Sequence, residues 1–470
     1  MNRFRNFAYS FSWADLSLGK ILLAFTLKAG SAVVAFAFSL FIARRFSYEE
    51  SGYFFLGLAI ATVASTICRL GLDQTVTRIV AGDMEYQDWG NIKLLYRKSM
   101  LMCLLFSLGI TILITLTSNK ISETFFGLKF AGFLVAFAAA VPAITISCLH
   151  SRFFQGVRNV IGLQLYQNTL PSIFAMAILL SMTTVGSQTI TAINMAWILT
   201  MCFWCTALFA ALHWNFTLAQ HINSKSHQER LCQNKPQQCA IDKTGKLTLT
   251  SLLTTSSSLW LISILAIADK WFGQIVIGIY CDPSEVAFFT IALRAALLVT
   301  LVLEAVNSNS FPTFAALYRQ NKLTKLKASA IQSSWLGLGM GLPVTLIIFA
   351  FAEQFMTFFG AQYAAGANIL RCIAIGQLIN VSTGSVGGLL IATGNQNAML
   401  KNTVISAGMF VGLSILLVPL WGGMGAAIAS SVSCFTQMIL SVWSVRKRVG
   451  FWPIGTVGNP MAVASVRPEI

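Results

Sequence analysis

The sequence predicts an all-α polytopic membrane protein, with about 12 transmembrane helices in two six-helix lobes. Three observations predict it. The 470-residue chain is 56% hydrophobic and only 10% charged, against about 25% charged in an average soluble domain. Its apolar residues gather into runs of about 20, the length that crosses a ~30 Å hydrocarbon core as a helix. Its cations crowd into alternate loops. A mean hydropathy of +0.71 excludes an ordinary soluble enzyme, a disordered chain and a small disulfide scaffold.

Taken in order, the predicted spans are 20–43, 52–72, 98–117, 130–149, 163–183, 189–212, 247–268, 286–312, 330–352, 367–392, 398–420 and 423–445. Phe, Ile, Leu, Val and Ala fill them without period-two alternation, so barrel strands are not indicated. Helices satisfy their own backbone groups in lipid. Ahead of the first span, Arg3 and Arg5 are accompanied by Phe4, Phe7, Tyr9, Phe11 and Trp13. That pattern lacks the apolar core of a cleaved signal and reads as an aromatic segment at the interface. The first span contains Lys28, and the eighth contains Arg294 and Glu304. The tenth carries Thr383-Gly384-Ser385-Val386-Gly387-Gly388, small residues suited to close helix packing.

A polar stretch at 214–246, rich in Gln, Asn, Lys and Ser, divides the spans six and six. It predicts an N-terminal lobe at 1–213, a cytoplasmic linker loop, a C-terminal lobe at 247–450 and a cytoplasmic tail at 451–470. Two dipeptides repeat at an offset of 234: Phe54-Phe55 with Phe288-Phe289, and Asn168-Thr169 with Asn402-Thr403. Both recur at equivalent positions of equivalent spans. Six helices per half make the repeats parallel, with a pseudo-two-fold axis along the membrane normal.

An even span count puts both termini on one face, and that face carries 24 of the 32 Lys and Arg. Positive charge marks the cytoplasmic side, so both termini are expected there. Most of the net charge of +16 therefore orients the chain and does not indicate nucleic-acid binding. Most cysteines lie inside spans and act as small hydrophobes. Cys232 and Cys239, with His213, His221 and His227, match no zinc spacing, so no metal is expected. No phosphate-binding glycine loop, nucleophile–base pair or cofactor fingerprint is present.

The intramembrane charges bear on function. A cation at the centre of a spanning helix costs about 2.5–3.5 kcal/mol and faces the bundle interior or a wet cavity. Lys28 lies ~12 Å into the first span, and Glu304 at nearly the same depth in the eighth. Lys28 and Arg294 either make the interior cationic for an anionic substrate, or Lys28 pairs with Glu304 while Arg294 bonds backbone carbonyls or a polar side chain. Arg69, ending the second span, either joins the cationic path or anchors lipid headgroups. A cationic interior suits a phosphate or another acid.

Several segments carry a family resemblance. In the first half they are Lys28-Ala29-Gly30-Ser31, Ser51-Gly52-Tyr53-Phe54, and Arg69-Leu70-Gly71-Leu72-Asp73 with Arg78. In the second they are Ser284 to Phe289 through Arg294 to Phe311-Pro312, Leu370-Arg371, Gly384 to Gly394, and Gly422-Gly423-Met424-Gly425-Ala426-Ala427. With twelve spans in two lobes, the chain resembles the multidrug/oligosaccharidyl-lipid/polysaccharide export superfamily, and within it the polysaccharide-biosynthesis branch. The resemblance implies a V-shaped central cleft lined by spans 1, 2, 7 and 8, in a bacterial inner-membrane protein. It implies a monomeric flippase moving an undecaprenyl-diphosphate-linked oligosaccharide from the cytoplasmic to the periplasmic leaflet by alternating access. Lys28 and Arg294 would hold the diphosphate or acidic sugars, with Glu304 as gate or counter-ion. Implied partners are the lipid-linked sugar, membrane lipid, a polysaccharide polymerase and glycosyltransferases. The alternative is an ion-coupled multidrug or organic-cation antiporter. Against it, those exporters tend to carry a carboxylate in the first span, where this chain has Lys28.

Overall fold

A computed structural model describes residues 18–85, 88–157, 159–184, 191–231, 260, 264 and 271–455. The side chains of Lys28 and Glu304 also lie outside the described set. Among the described residues there are helices and no strand.

Helix α1 (Leu18–Arg45) turns at Ser47 into α2 (Tyr48–Cys68). The turn is a capping box: Ser47 Oγ accepts from the Glu50 N–H at 3.2 Å, and Glu50 Oε2 accepts from the Ser47 N–H at 3.4 Å. After α2, Leu70 (φ 51°) and Gly71 (φ 73°) adopt the left-handed conformation and turn the chain into α3 (Leu72–Glu85). The hydropathy runs predict a loop after residue 72, and the structure has a helix there instead. Leu72, Val76 and Val80 recur every fourth residue and are wholly buried, but so short an apolar stripe does not register in a 20-residue hydropathy window.

Helix α4 (Trp89–Ile121) starts at Asp88, whose carboxylate accepts from the Asn91 N–H at 3.1 Å. Helices α5 (Phe130–Ala138) and α6 (Val141–Gly156) form one span bent by 40°. Helices α7 (Val160–Gln164) and α8 (Leu170–Thr184) are joined by a wider turn and form the fifth. Helix α9 (Ala192–Leu231) continues well past the predicted end at 212. Residues 214–231 are therefore helical, not loop. The reason is packing: Trp214 is fully buried, with ring centroids 5.1 Å from Phe153, 5.3 Å from Phe154 and 5.9 Å from Tyr96. His213, also read as a loop residue, shares a 2.9 Å hydrogen bond through Nδ1 with the Tyr166 hydroxyl. The rest of the polar stretch lies outside the described residues.

In the second half, α10 (Gly273–Tyr280) is followed by α11 (Pro283–Arg319), α12 (Leu323–Ala350), the short α13 (Ala352–Thr357), α14 (Ala367–Ser382), α15 (Val386–Ala392) and α16 (Gln396–Val449). The predicted seventh span, 247–268, lies outside the described residues apart from Trp260 and Ile264. Helix also continues to Tyr280, where a loop is predicted. The Asp269-Lys270 pair obscures the apolar run that follows it. Helix α16 holds the last two spans with no loop between them. They meet at Gly422 (φ 54°, ψ −136°), and the Gly423 N–H there donates to Glu285 Oε2 at 3.0 Å.

Described helices thus occupy every predicted span except the seventh. Among them, six are long and apolar enough to cross a bilayer singly, or seven with the bent α5–α6 pair. Both copies of the repeated Phe-Phe dipeptide are core residues. Phe54 and Phe55 in α2, and Phe288 and Phe289 in α11, all lie in one core that runs through both halves. Thr169 and Thr403 each bond back along their own helix, to Gln164 O at 2.9 Å and Met399 O at 3.0 Å.

Candidate functional site

The two halves meet along α2 and α11, with α1 beside them. They are tightest at the end of α2 that carries Ser47. There Gly52 packs directly on the Pro283 carbonyl, and a Cβ at Gly278 would lie 2.7 Å from Leu56. The Tyr48 ring sits 6.4 Å from Phe288, and Phe36 lies 5.1 Å from Phe359 in an edge-on arrangement. Arg44 Nε donates to Phe358 O at 2.8 Å. At the opposite end of α2, Trp260 Nε1 donates to Ile67 O at 3.2 Å.

Arg294 lies on this interface. It is half-buried on α11, three turns from the Pro283 end. Its Nη1 donates to Ala35 O of α1 at 3.4 Å, and its Cζ stands 5.1 Å from the Phe55 ring centroid of α2. Within hydrogen-bond and cation–π reach it thus touches two helices of the other half. No Asp or Glu among the described residues forms an ion pair with it. Of the two sequence readings of Arg294, a backbone-carbonyl contact is present, and the charge is left without a described counter-ion.

The Arg294–Ala35 contact fixes the register of α1 against α11. The two run antiparallel, because the end of α1 near Tyr48 lies at the start of α11 near Phe288. Lys28 precedes Ala35 by seven residues, about 10 Å and two turns, on the same helix face. Glu304 follows Arg294 by ten residues, about 15 Å in the same direction. Their backbones therefore stand at neighbouring levels. Whether they pair lies outside the described residues.

Arg69 has a different environment from the one expected. It is buried, and its Nε lies 2.9 Å from Asp73 Oδ2. Its Nη2 donates to Thr66 Oγ1 at 2.7 Å and its Nη1 to Ser65 Oγ at 3.4 Å. The left-handed turn at Leu70–Gly71 folds Asp73 back onto the guanidinium. Arg69 is thus neither an open cation on the path nor a headgroup anchor in this structure: its charge is matched inside the first half. The Arg-x-x-x-Asp spacing was visible in the sequence, but an expected helix end between the two residues concealed the pair. Phe55, Ala35 and Arg44 were not anticipated, since a backbone acceptor and an apolar ring leave no polar signal.

Among the described residues, no group of three or more His, Cys, Asp or Glu is placed to hold a metal ion.

Fold and interface together define a multi-pass helical membrane protein in two packed halves, with a cation between them that has no counter-ion among the described residues. Residues 17–318 match the family described as polysaccharide biosynthesis protein, and residues 258–420 match the MatE family. The chain belongs to the polysaccharide biosynthesis protein family, in the multidrug/oligosaccharidyl-lipid/polysaccharide export superfamily. It is similar to a probable flippase, AglR, of Haloferax volcanii, at 22% identity over 44% of this chain. That match spans only 44% of the relative's own length. In fold it is similar to a multidrug resistance MATE family transporter in its inward-facing conformation, with a TM-score of 0.69 and 15% identity over 89% of this chain and 94% of that one. It is equally similar to the lipid II flippase MurJ in an inward closed conformation, with a TM-score of 0.69 and 12% identity over 90% and 87% of the two chains.

Proposed function

We propose that the protein is a flippase, not an enzyme, that moves an anionic lipid-linked oligosaccharide across a bacterial inner membrane for surface polysaccharide synthesis. The substrate is a sugar unit on undecaprenyl diphosphate, passed from the cytoplasmic to the periplasmic leaflet by alternating access. The observation that carries this reading is Arg294: a cation between the halves, fixed by a carbonyl and a ring, with no described carboxylate opposing it. A diphosphate supplies the missing anion, and a guanidinium matches its oxygens in bidentate fashion. Lys28, on the face of α1 that bears Ala35, adds a second cation along the same path, with Glu304 as the gate residue that substrate charge relieves. Both termini lie in the cytoplasm, the first lobe runs through the end of α9 at Leu231 and the second over 247–450, and the transport unit is a monomer. A polymerase and glycosyltransferases are its functional partners.

The name of the Haloferax relative supports a flippase, and the family description supports polysaccharide synthesis. An organic-cation antiporter is disfavoured by the sign of the charge at the interface. The test replaces Arg294 by Ala in cells lacking the native copy, at matched expression. Surface polymer should fall at least tenfold while lipid-linked sugar accumulates on the cytoplasmic leaflet. Polymer at wild-type levels would overturn the proposal.

A further inference from the structure

A second feature of α1 lies away from Arg294. Ala37, Leu40, Phe41, Arg44 and Arg45, with Met176 of α8, line a recess of about 370 Å³. Ala37, Leu40, Phe41 and Arg44 follow a three- and four-residue spacing and so form one stripe of the helix. Ala35, which takes the Arg294 contact, lies ~200° around the helix from Ala37, on the opposite side. The recess therefore lies on the other side of α1 from the Arg294 contact, although its rim residue Arg44 also reaches the second half through Phe358.

Its walls are apolar and its rim is cationic. Arg44 is held in place by Phe358, through the 2.8 Å bond to the carbonyl oxygen and a Cζ-to-ring distance of 4.6 Å. These contacts leave its two terminal nitrogens available. Arg45 is exposed, with no described partner. The carboxylates nearest in sequence are engaged elsewhere: Glu50 in the capping box with Ser47, and Glu49 with Lys129 Nζ at 3.4 Å. Two cations at a helix C-terminus are favourable for the helix, because they face the negative end of its dipole. That effect requires neither a recess beneath them nor the anchoring of one against Phe358.

We propose that this recess binds an anionic phospholipid of the bilayer, with its phosphate between Arg44 and Arg45 and the first part of an acyl chain on Leu40, Phe41 and Met176. The occupant follows from charge complementarity and from position. Arg45 is the last residue of α1, which the sequence reads as the first span, and the apolar wall formed by Leu40 and Phe41 runs back from it along the helix. A free phosphate would leave the wall unused, and a neutral lipid would leave the guanidinium pair unmatched. The site holds the α1 end against Phe358, hence the two halves together where they are tightest.

The experiment uses the full-length protein in nanodiscs of phosphatidylcholine with increasing phosphatidylglycerol, followed by native mass spectrometry of retained lipid and by the melting temperature. Wild type should retain phosphatidylglycerol in preference to phosphatidylcholine and melt higher as its fraction rises. Arg45→Gln should weaken retention about tenfold, as should Met176→Trp, which fills the recess and leaves the cationic rim intact. Equal retention of the two lipids, or wild-type retention by both variants, would overturn the proposal. So would displacement of phosphatidylglycerol by equimolar undecaprenyl phosphate, which would reassign the recess to the carrier lipid. Displacement by inorganic phosphate alone would show that the apolar wall plays no part and would also overturn it. Arg294→Ala leaves this readout unchanged, so failure here is distinguishable from failure of the flippase reading.

Discussion

Gly52 of α2 rests against the carbonyl oxygen of Pro283, the first residue of α11, with no room for a side chain between them. This backbone-to-backbone contact joins the two halves where both helices begin. Glycine is required for its lack of volume, because Gly52 is an ordinary helical residue. A methyl group there would force the helices apart, and overpacking of this kind costs about 1–3 kcal/mol. Gly52→Ala should therefore open this end of the interface. Its signature is faster thiol labelling of a cysteine placed at Ser51, which is fully buried here, with little change in overall helix content. Unchanged labelling would mean that the contact does not seal the halves.

Arg69 and Asp73 should behave as a structural pair. Removing one partner of a buried ion pair costs about 3–5 kcal/mol, because the other charge is left unmatched. Arg69→Ala and Asp73→Ala should each lower the melting temperature markedly, and the double variant should lose less than the sum of the two. Additive losses in that cycle would show that the pair is not coupled.

Arg294 should show the opposite balance. Its described contacts are one long hydrogen bond to a backbone carbonyl and one aromatic ring, and an apolar residue of similar length suits those surroundings of Phe55 and the α1 backbone. Arg294→Met is expected to melt at or above the wild-type temperature while transport is lost. Arg294→Lys keeps the charge but not the planar fork, and should retain partial transport. A strongly destabilised Arg294→Met would make the residue structural.

His150 offers a test of the first half's packing. Its Nδ1 lies 2.8 Å from Ile146 O, which only accepts, so that nitrogen carries the proton. Nε2 then accepts from the Tyr96 hydroxyl at 3.0 Å. Both nitrogens of a fully enclosed ring are satisfied, and Tyr96→Phe leaves one buried acceptor bare. The expected cost is about 1–3 kcal/mol, read as a lower melting temperature at unchanged transport per folded molecule.

The spans were legible because lipid imposes length and apolarity on every crossing helix, and those constraints are written one residue at a time. What was hidden depends on partners distant in sequence. Trp214 extends α9 through rings contributed by α4 and α6. Helix α3 is held by three residues that no spanning-length window resolves. The site was half-legible for the same reason. Arg294 stands out as a charge in an apolar run, whereas its contacts, a carbonyl at Ala35 and a ring at Phe55, look like filler until the helices are assembled. Arg69, at the end of the second span, reads as a path cation or a headgroup anchor, and the turn at Leu70–Gly71 gives it Asp73 as counter-ion instead.

The length of α9 changes where the polar stretch begins to leave the bilayer. At ~1.5 Å per residue, a 40-residue helix is about 60 Å long, twice the hydrocarbon thickness. A helix that long outruns a single crossing, so the first part of the polar stretch departs as ordered helix and not as slack chain. With Trp214 clamped among the rings of α4 and α6, α9 acts as a mast stepped in the first half.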